Sequence, residues 1–251
     1  MPRRLANLAV LVAAIAILAV VLPGPLYRFG VAGLSVAFRT MQYGAFAGLL
    51  GGGIALIALI AAAIARRADG VVPAALGLVL GAVAWGIPYA LLRKVEALPM
   101  IHDITTDVVN PPQFQPDILA LRAAAHAANS TVYAGASIAR LQEQAYPDIR
   151  PMIFDLPVAK VFDAALRTAD ALGWKRVSDD PRTGLIEASD TTFWFGFTDD
   201  VVIRIEPSGH GSRLDIRSES RVGESDVGKN AQRIRAFRAA LDARLGVSPR
   251  A

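Results

Sequence analysis

At 251 residues the chain has the length for one or two folded units, and it carries no cysteine, which excludes disulfides, thiol catalysis and thiolate metal sites. Its charge is uneven: residues 1–99 hold eight basic and two acidic side chains, leaving 18 of the 26 basic and 20 of the 22 acidic residues for positions 100–251. The basic excess therefore lies outside the C-terminal part, which argues against a nucleic-acid reader, whose positive charge belongs on its folded domain.

Residues 5–22 form an uncharged run of about the length a spanning helix needs. Arg3 and Arg4 resemble the start of a signal peptide. The run is long, however, lacks a small-x-small site and stops at Pro23 and Pro25, so it reads as an uncleaved anchor. Residues 26–41 carry Arg28 and Arg39 and are expected along the interface or as a loop. A second span is expected at about 43–64, closed by Arg66 and Arg67, and a third at about 72–92, closed by Arg93 and Lys94. Gly44, Gly48 and Gly52, like Gly77 and Gly81, recur every four residues. This spacing bares one helix face for close approach, and packing of the three helices on one another is expected rather than a dimer. Pro88 is placed to kink the third span. No ionisable residue lies at the middle of a span, which argues against a transporter or pump. Basic residues divide four against four between the two sides, so charge does not set the orientation.

Residues 98–150 read as a connector with short helices at about 117–128 and 138–145. His102, Asp103 and Asp107 are too loosely spaced to define a metal site, so ordinary hydrogen-bonding roles are expected, with no metal and no cofactor. Asn110-Pro111-Pro112 is a rigid extended turn, and Tyr133 and Tyr146 are candidates to pin the segment.

Residues 151–251 show a strand at 152–156, then a helix at 158–172 between Pro157 and Gly173 with an apolar stripe through Val161, Phe162, Ala165 and Ala169. A hairpin turning at 179–184 follows, and then a meander of three strands within 191–223. The first of these strands is Phe193-Trp194-Phe195-Gly196-Phe197. The last alternates Arg213, Asp215, Arg217, Glu219 and Arg221 with Leu214, Ile216, Ser218 and Ser220, and its charged face is expected to be solvated. Ser225 and Asp226 cap a last helix with Val227, Ala231, Ile234, Phe237, Leu241 and Leu245 on one stripe, ended by Gly246. The order β-α-β-β-β-β-β-α predicts an α+β class: a three-helix transmembrane bundle over 1–97, then a two-layer domain of antiparallel sheet with two packed helices.

Several blocks carry a family resemblance: His102 to Asp107, Asn110 to Phe114, Ala145 to Ile149, Gly173-Trp174, and Asp215 to Ser218 with Ser220 to Gly223, Ser225-Asp226, Asn230-Ala231 and Arg233 to Arg235. Together they resemble the bacterial family known only as domain of unknown function 1499, over about residues 100–245. The resemblance implies an envelope-facing domain behind a lipoprotein signal or a small membrane bundle. This chain lacks the lipobox cysteine and has three spans instead. The family has no assigned activity.

A nucleophile elbow, a phosphate-binding Walker loop and an HExxH helix are absent. No catalytic residue is therefore singled out. The candidate binding cluster is Arg217, Arg221, Ser225, Asp226, Asn230 and Arg233, where the last strand passes into the last helix. Arginines beside a helix N-terminus suit an anion, but the same residues suit a capping and salt-bridge network, and the network is the preferred reading. The expectation is a multi-pass inner-membrane protein whose C-terminal domain faces the periplasm as a non-enzymatic binding module. Its partners are the lipid bilayer and an envelope protein or lipid, with no nucleic acid. The alternatives are a hydrolase of envelope material using the Arg217–Asp226 cluster, or a carrier of an apolar ligand in the helix–sheet crevice.

Overall fold

The computed structural model describes residues 2–247; Met1 and the end of the stretch 151–251 lie outside the described residues. The chain divides into two compact units, one of Met1–Glu96 with Phe193–Gly196, the other of Ala97–Thr192 with Phe197–Ala251.

The first unit contains α1 (Pro2–Val21), α2 (Pro23–Arg28), α3 (Leu34–Ile64) and α4 (Val71–Glu96). Its three long helices are long and apolar enough to cross a membrane. Residues 26–41 are mostly helical rather than a loop. Pro23 and Pro25 fall in the first turn of α2, where a missing N–H costs nothing. α3 starts directly after Gly33, nine residues before the expected span, because nothing between 34 and 42 breaks a helix. Small residues form the contacts. Ala6, Ala9, Ala13 and Ala16 of α1 are buried, with the Gly51 backbone against Ala13 and that of Gly77 against Ala9. α3 and α4 meet at Gly48, Gly52 and Gly81, where a Cβ on Gly81 would lie 2.6 Å from the Gly48 carbonyl oxygen. Lipid offers no hydrophobic drive for this association, so close backbone packing carries it.

Residues 193–197, expected as a strand, form a turn instead. Gly196 has φ +72°, and the turn is closed by the Thr192 amide on the Phe197 carbonyl (2.8 Å) and the Phe197 amide on the Thr192 hydroxyl (2.9 Å). Of the rings that imitate strand alternation, Phe195 packs within the first unit, at 6.0 Å from Tyr27 and 5.5 Å from Phe38.

The second unit runs β1 (Asp103–Thr105), α5 (Pro116–Ala124), α6 (Ala136–Ala145), β2 (Met152–Phe154), α7 (Val158–Ala171), β3 (Lys175–Asp180), β4 (Leu185–Thr191), β5 (Thr198–Ser208), β6 (Gly211–Ser220) and α8 (Lys229–Leu245). The antiparallel sheet has the order β1-β6-β5-β4-β3, with β2 also paired to β6. Thus β6 lies between β5 and two short strands, with Thr105 opposite Arg217 and Met152 opposite Leu214. The outer edge of β1 is closed by a side chain. The Thr105 amide donates to Gln142 Oε1 (3.0 Å) and Gln142 Nε2 donates to the Thr105 carbonyl (2.7 Å).

One sheet face carries the main core: Ile203, Ile205, Leu214 and Ile216 against Val161, Phe162 and Ala165 of α7 and Ile234, Phe237 and Leu241 of α8. Each large apolar side chain buried there stabilises the fold by about 1.5–3 kcal/mol. α8 begins at Lys229, so Val227 is not in its stripe; with φ +53° it lies in the preceding turn.

The charged face, expected to be solvated, is covered. Asp215, Arg217 and Glu219 are buried, as are Asp200 and Glu187 on the neighbouring strands. The cover comes from the stretch read as a connector: Phe114 and Ile118 pack on Val202. The charges are tolerated because arginines and loop carbonyls pair with them.

Candidate functional site

Alternation on β6 sends Arg217 and Glu219 to the same face as Asp200 of β5, and pairing with β1 brings Asp103 opposite Glu219. The Arg217 guanidinium is 0% exposed. Its Nε and Nη2 donate to the two oxygens of Asp103 (2.9 and 2.8 Å), and Nη2 also reaches Glu219 (3.3 Å). It further donates to the Thr131 carbonyl (2.8 Å) and the Pro112 carbonyl (3.3 Å), and lies over the rings of Phe114 and Tyr133 at 5.0 and 5.7 Å. Arg122 of α5 bridges Asp200 (2.9 Å) and Glu219 (3.0 Å), while Arg221 grips both oxygens of Asp200 (2.9 and 2.7 Å). Three guanidinium groups thus face three carboxylates. Such layers roughly break even energetically against apolar packing, but they fix geometry, since breaking any one pair strands a buried charge. Beside this layer, Arg213 reaches Asp107 (2.8 Å) and Asp215 (2.7 Å), and Arg204 joins both carboxylates.

Burial pushes the Glu219 carboxyl up to about 8, aided by the Asp103 charge and opposed by Arg122 and Arg217. Burial likewise raises Glu187, opposed by hydrogen bonds from the Gln115 amide and Ser178. A raised carboxyl holds its proton more tightly folded than unfolded, so its stabilisation is complete below its ordinary value and is lost as pH rises through the folded one. Melting of the detergent-purified full chain is therefore expected at a lower temperature at pH 8 than at pH 5. Glu219→Gln should remove most of that slope, and a slope unchanged in the variant would refute the assignment.

The six residues expected to cluster are divided between the two sheet faces. Arg217 and Arg221 belong to the layer under α5. Ser225, Asp226, Asn230 and Arg233 lie at the start of α8, which covers the opposite face. There Asp226 accepts from the amides of Gly228 (2.7 Å) and Asn230 (2.8 Å) as a cap, and Ser225 accepts from the Val227 amide (3.2 Å). Burial raises the Asp226 carboxyl, opposed by the Asn230 and Gly228 amides. Asn230 accepts from Ser218 Oγ (2.6 Å), and Arg233 reaches Asp190 (2.7 Å) and Asp199 (2.6 Å). His102, Asp103 and Asp107 go to separate partners, His102 Nδ1 lying 3.3 Å from the Glu224 carbonyl oxygen. Sequence reasoning missed Arg122 and Asp200. The available signal was Arg122 four residues after Ile118, a cation on the buried side of a short helix.

Above the layer opens a cleft of about 910 Å³, lined among others by Val109, Phe114, Leu119, Val132, Tyr133 and Glu143. Arg217 fixes both walls, one through Pro112 and the other through Thr131, and Phe114 and Tyr133 cover the guanidinium. The Tyr133 hydroxyl is buried with no hydrogen-bond partner among the described residues. Burial, followed by the Asp103 charge, pushes it up to about 12, so it stays a neutral donor.

Three apolar helices followed by an antiparallel sheet with packed helices define a membrane-anchored α+β protein. The family model described as "Protein of unknown function (DUF1499)" matches residues 103–241, more than half of the chain, and the chain belongs to that family. The match begins at the first residue of β1 and ends within α8, so it takes in every strand of the sheet. No curated protein matches the chain.

Proposed function

We propose that this is an inner-membrane binding module whose α+β unit faces the periplasm and takes an envelope protein or lipid-derived partner in the cleft above Arg217. The observation that carries the reading is that one buried guanidinium holds both walls, through Pro112 and Thr131, so the cleft is formed before anything enters it. A preformed site avoids the ordering cost of binding. Its rim offers apolar contact, with Val109 92% and Val132 78% exposed. The resemblance of the folded unit to an envelope-facing family favours the periplasmic side. A hydrolase built on Arg217 and Asp226 is disfavoured, because those side chains serve opposite sheet faces. An apolar carrier is disfavoured because Phe162 is already packed in the filled core.

The absence of cysteine makes a direct test simple. Val132→Cys on the cleft rim and Ile153→Cys, the exposed position of β2, are each treated, in intact cells and as purified full chain, with a membrane-impermeant maleimide. The expected result is labelling of Ile153→Cys in intact cells, with Val132→Cys slowed several-fold in cells but not after purification. Labelling of Ile153→Cys only after lysis would refute the periplasmic orientation, and equal rates at both positions in cells would refute an occupied cleft.

A further inference from the structure

Within the first unit, residues 193–196 form an aromatic point beside α2 and the start of α3. The Trp194 indole N–H donates to the Val21 carbonyl (2.9 Å). Its ring lies so close over Gly24 that a Cβ there would come within 2.7 Å of Nε1. Phe195 is packed among Tyr27, Phe38 and Trp194, the last an edge contact at 5.2 Å. Next to these packed rings stand exposed ones: Phe193 is 89% and Phe29 77% exposed. Arg28 donates to the Phe193 carbonyl and lies 5.6 Å over its ring, and Arg39 is exposed nearby in the chain. No acidic residue occurs before Asp69, and the acid at the close of α4, Glu96, is paired with Arg93 (2.8 Å), so basic charge predominates at this end of the unit.

Water is a poor solvent for such a surface, and the structure shows what it continues into. Leu18, Leu22 and Leu26, on the approach from α1 into α2, are exposed like the other lipid-facing side chains of the spans. Aromatic rings at the end of an apolar span, with arginines beside them, are the composition of the membrane–water boundary. Rings sit there at headgroup level, and guanidinium groups meet lipid phosphates. Three successive spans also bring the α2 end and the chain leaving α4 to one side of the membrane. The turn therefore belongs to that side without any further crossing.

We propose that Phe193–Gly196, with α2 and the start of α3, forms an aromatic and basic belt seated in the headgroup layer of an anionic bilayer, with Phe193 inserted and Arg28 and Arg39 on phosphate. This makes a segment of the sheet-bearing half of the sequence a membrane-contacting element in its own right, independent of what the cleft binds.

The test places a nitroxide on Phe193→Cys, and separately on Val31→Cys, which leaves every ring in place. The full chain is reconstituted in vesicles of phosphatidylcholine with phosphatidylglycerol, and collision with oxygen is compared with collision with a water-soluble nickel chelate. Both labels are expected to favour oxygen several-fold over the ratio of a water-exposed nitroxide. Gly24→Ala, which displaces Trp194, should return the Phe193→Cys label toward the water value. Both labels at the water value, or Phe193→Cys alone at that value, would overturn the proposal. Depth that does not change when phosphatidylglycerol is omitted would overturn the part assigned to the arginines.

Discussion

Arg217→Ala is expected to lower the melting temperature of the full chain by roughly ten degrees or more, on the order of 3–5 kcal/mol, and to cut the yield of folded protein. The substitution removes the bidentate partner of Asp103 and one of two partners of Glu219. It also frees the Pro112 and Thr131 carbonyls and unpacks the rings of Phe114 and Tyr133. What remains is excess negative charge in a closed space, which costs more than the lost contacts themselves. The mechanism makes two further demands. Arg217→Lys should rescue little, because one ammonium cannot span Asp103, Thr131 and Pro112 from a single planar fork. Combining Arg217→Met with Asp103→Asn and Glu219→Gln should recover part of the loss, since neutral partners no longer need the cation. A melting temperature within two degrees of wild type for Arg217→Ala, by scanning fluorimetry in detergent, would remove Arg217 from its organising role.

Gly81→Ala is expected to destabilise the helix bundle, although alanine is the better helix former. The added Cβ would stand 2.6 Å from the Gly48 carbonyl oxygen and 2.7 Å from the Gly52 amide nitrogen, both main-chain atoms of α3. No side-chain rotation relieves that; the two helices must separate and lose the contact that holds them in lipid. Overpacking of this kind costs about 1–3 kcal/mol or more. Gly53→Ala supplies the control, because a Cβ there meets nothing within 4 Å. It should be neutral or stabilising by about 0.5–1 kcal/mol through helix propensity. The measurement is the temperature at which detergent-solubilised protein loses its monodisperse elution peak. Equal behaviour of the two variants would show that α3 and α4 do not meet at these glycines.

The parts of the molecule legible in the sequence are those written in local periodicity. Long uncharged runs give the three spans, the stripe through Val161, Phe162, Ala165 and Ala169 gives α7, and turn residues at 179–184 give the hairpin of β3 and β4. What escaped is written in partners far apart in the chain. Arg217 finds Asp103 across 114 positions and Arg122 finds Glu219 across 97, and no period connects them. Seen alone, the charged alternation of β6 has the pattern of a wet face; only the cover from residues 106–135 turns it into an interior. β1 is three residues long, too short for alternation to register. Phe193 to Phe197 failed for a different reason, because aromatic residues suit strands and membrane boundaries equally well. Of the candidate site, Arg217 and Arg221 were visible as an unusual concentration of charge. The cleft above Arg217 was not, since its walls join two loops to parts of α5 and α6, and the loops are held by the buried pair of residues 103 and 217.

The amide of Gln142 carries one more implication. A terminal strand with free N–H and C=O groups is a template on which another chain can add, the usual route to runaway association. At Thr105 both groups are already taken, donor and acceptor alike, by one side chain from α6 acting as a one-residue imitation of a neighbouring strand. Accretion of a foreign strand at this position would first have to evict an amide held at two points. The sheet is thereby given a finite width at β1 without a proline, a bulge or a charge pointing outward.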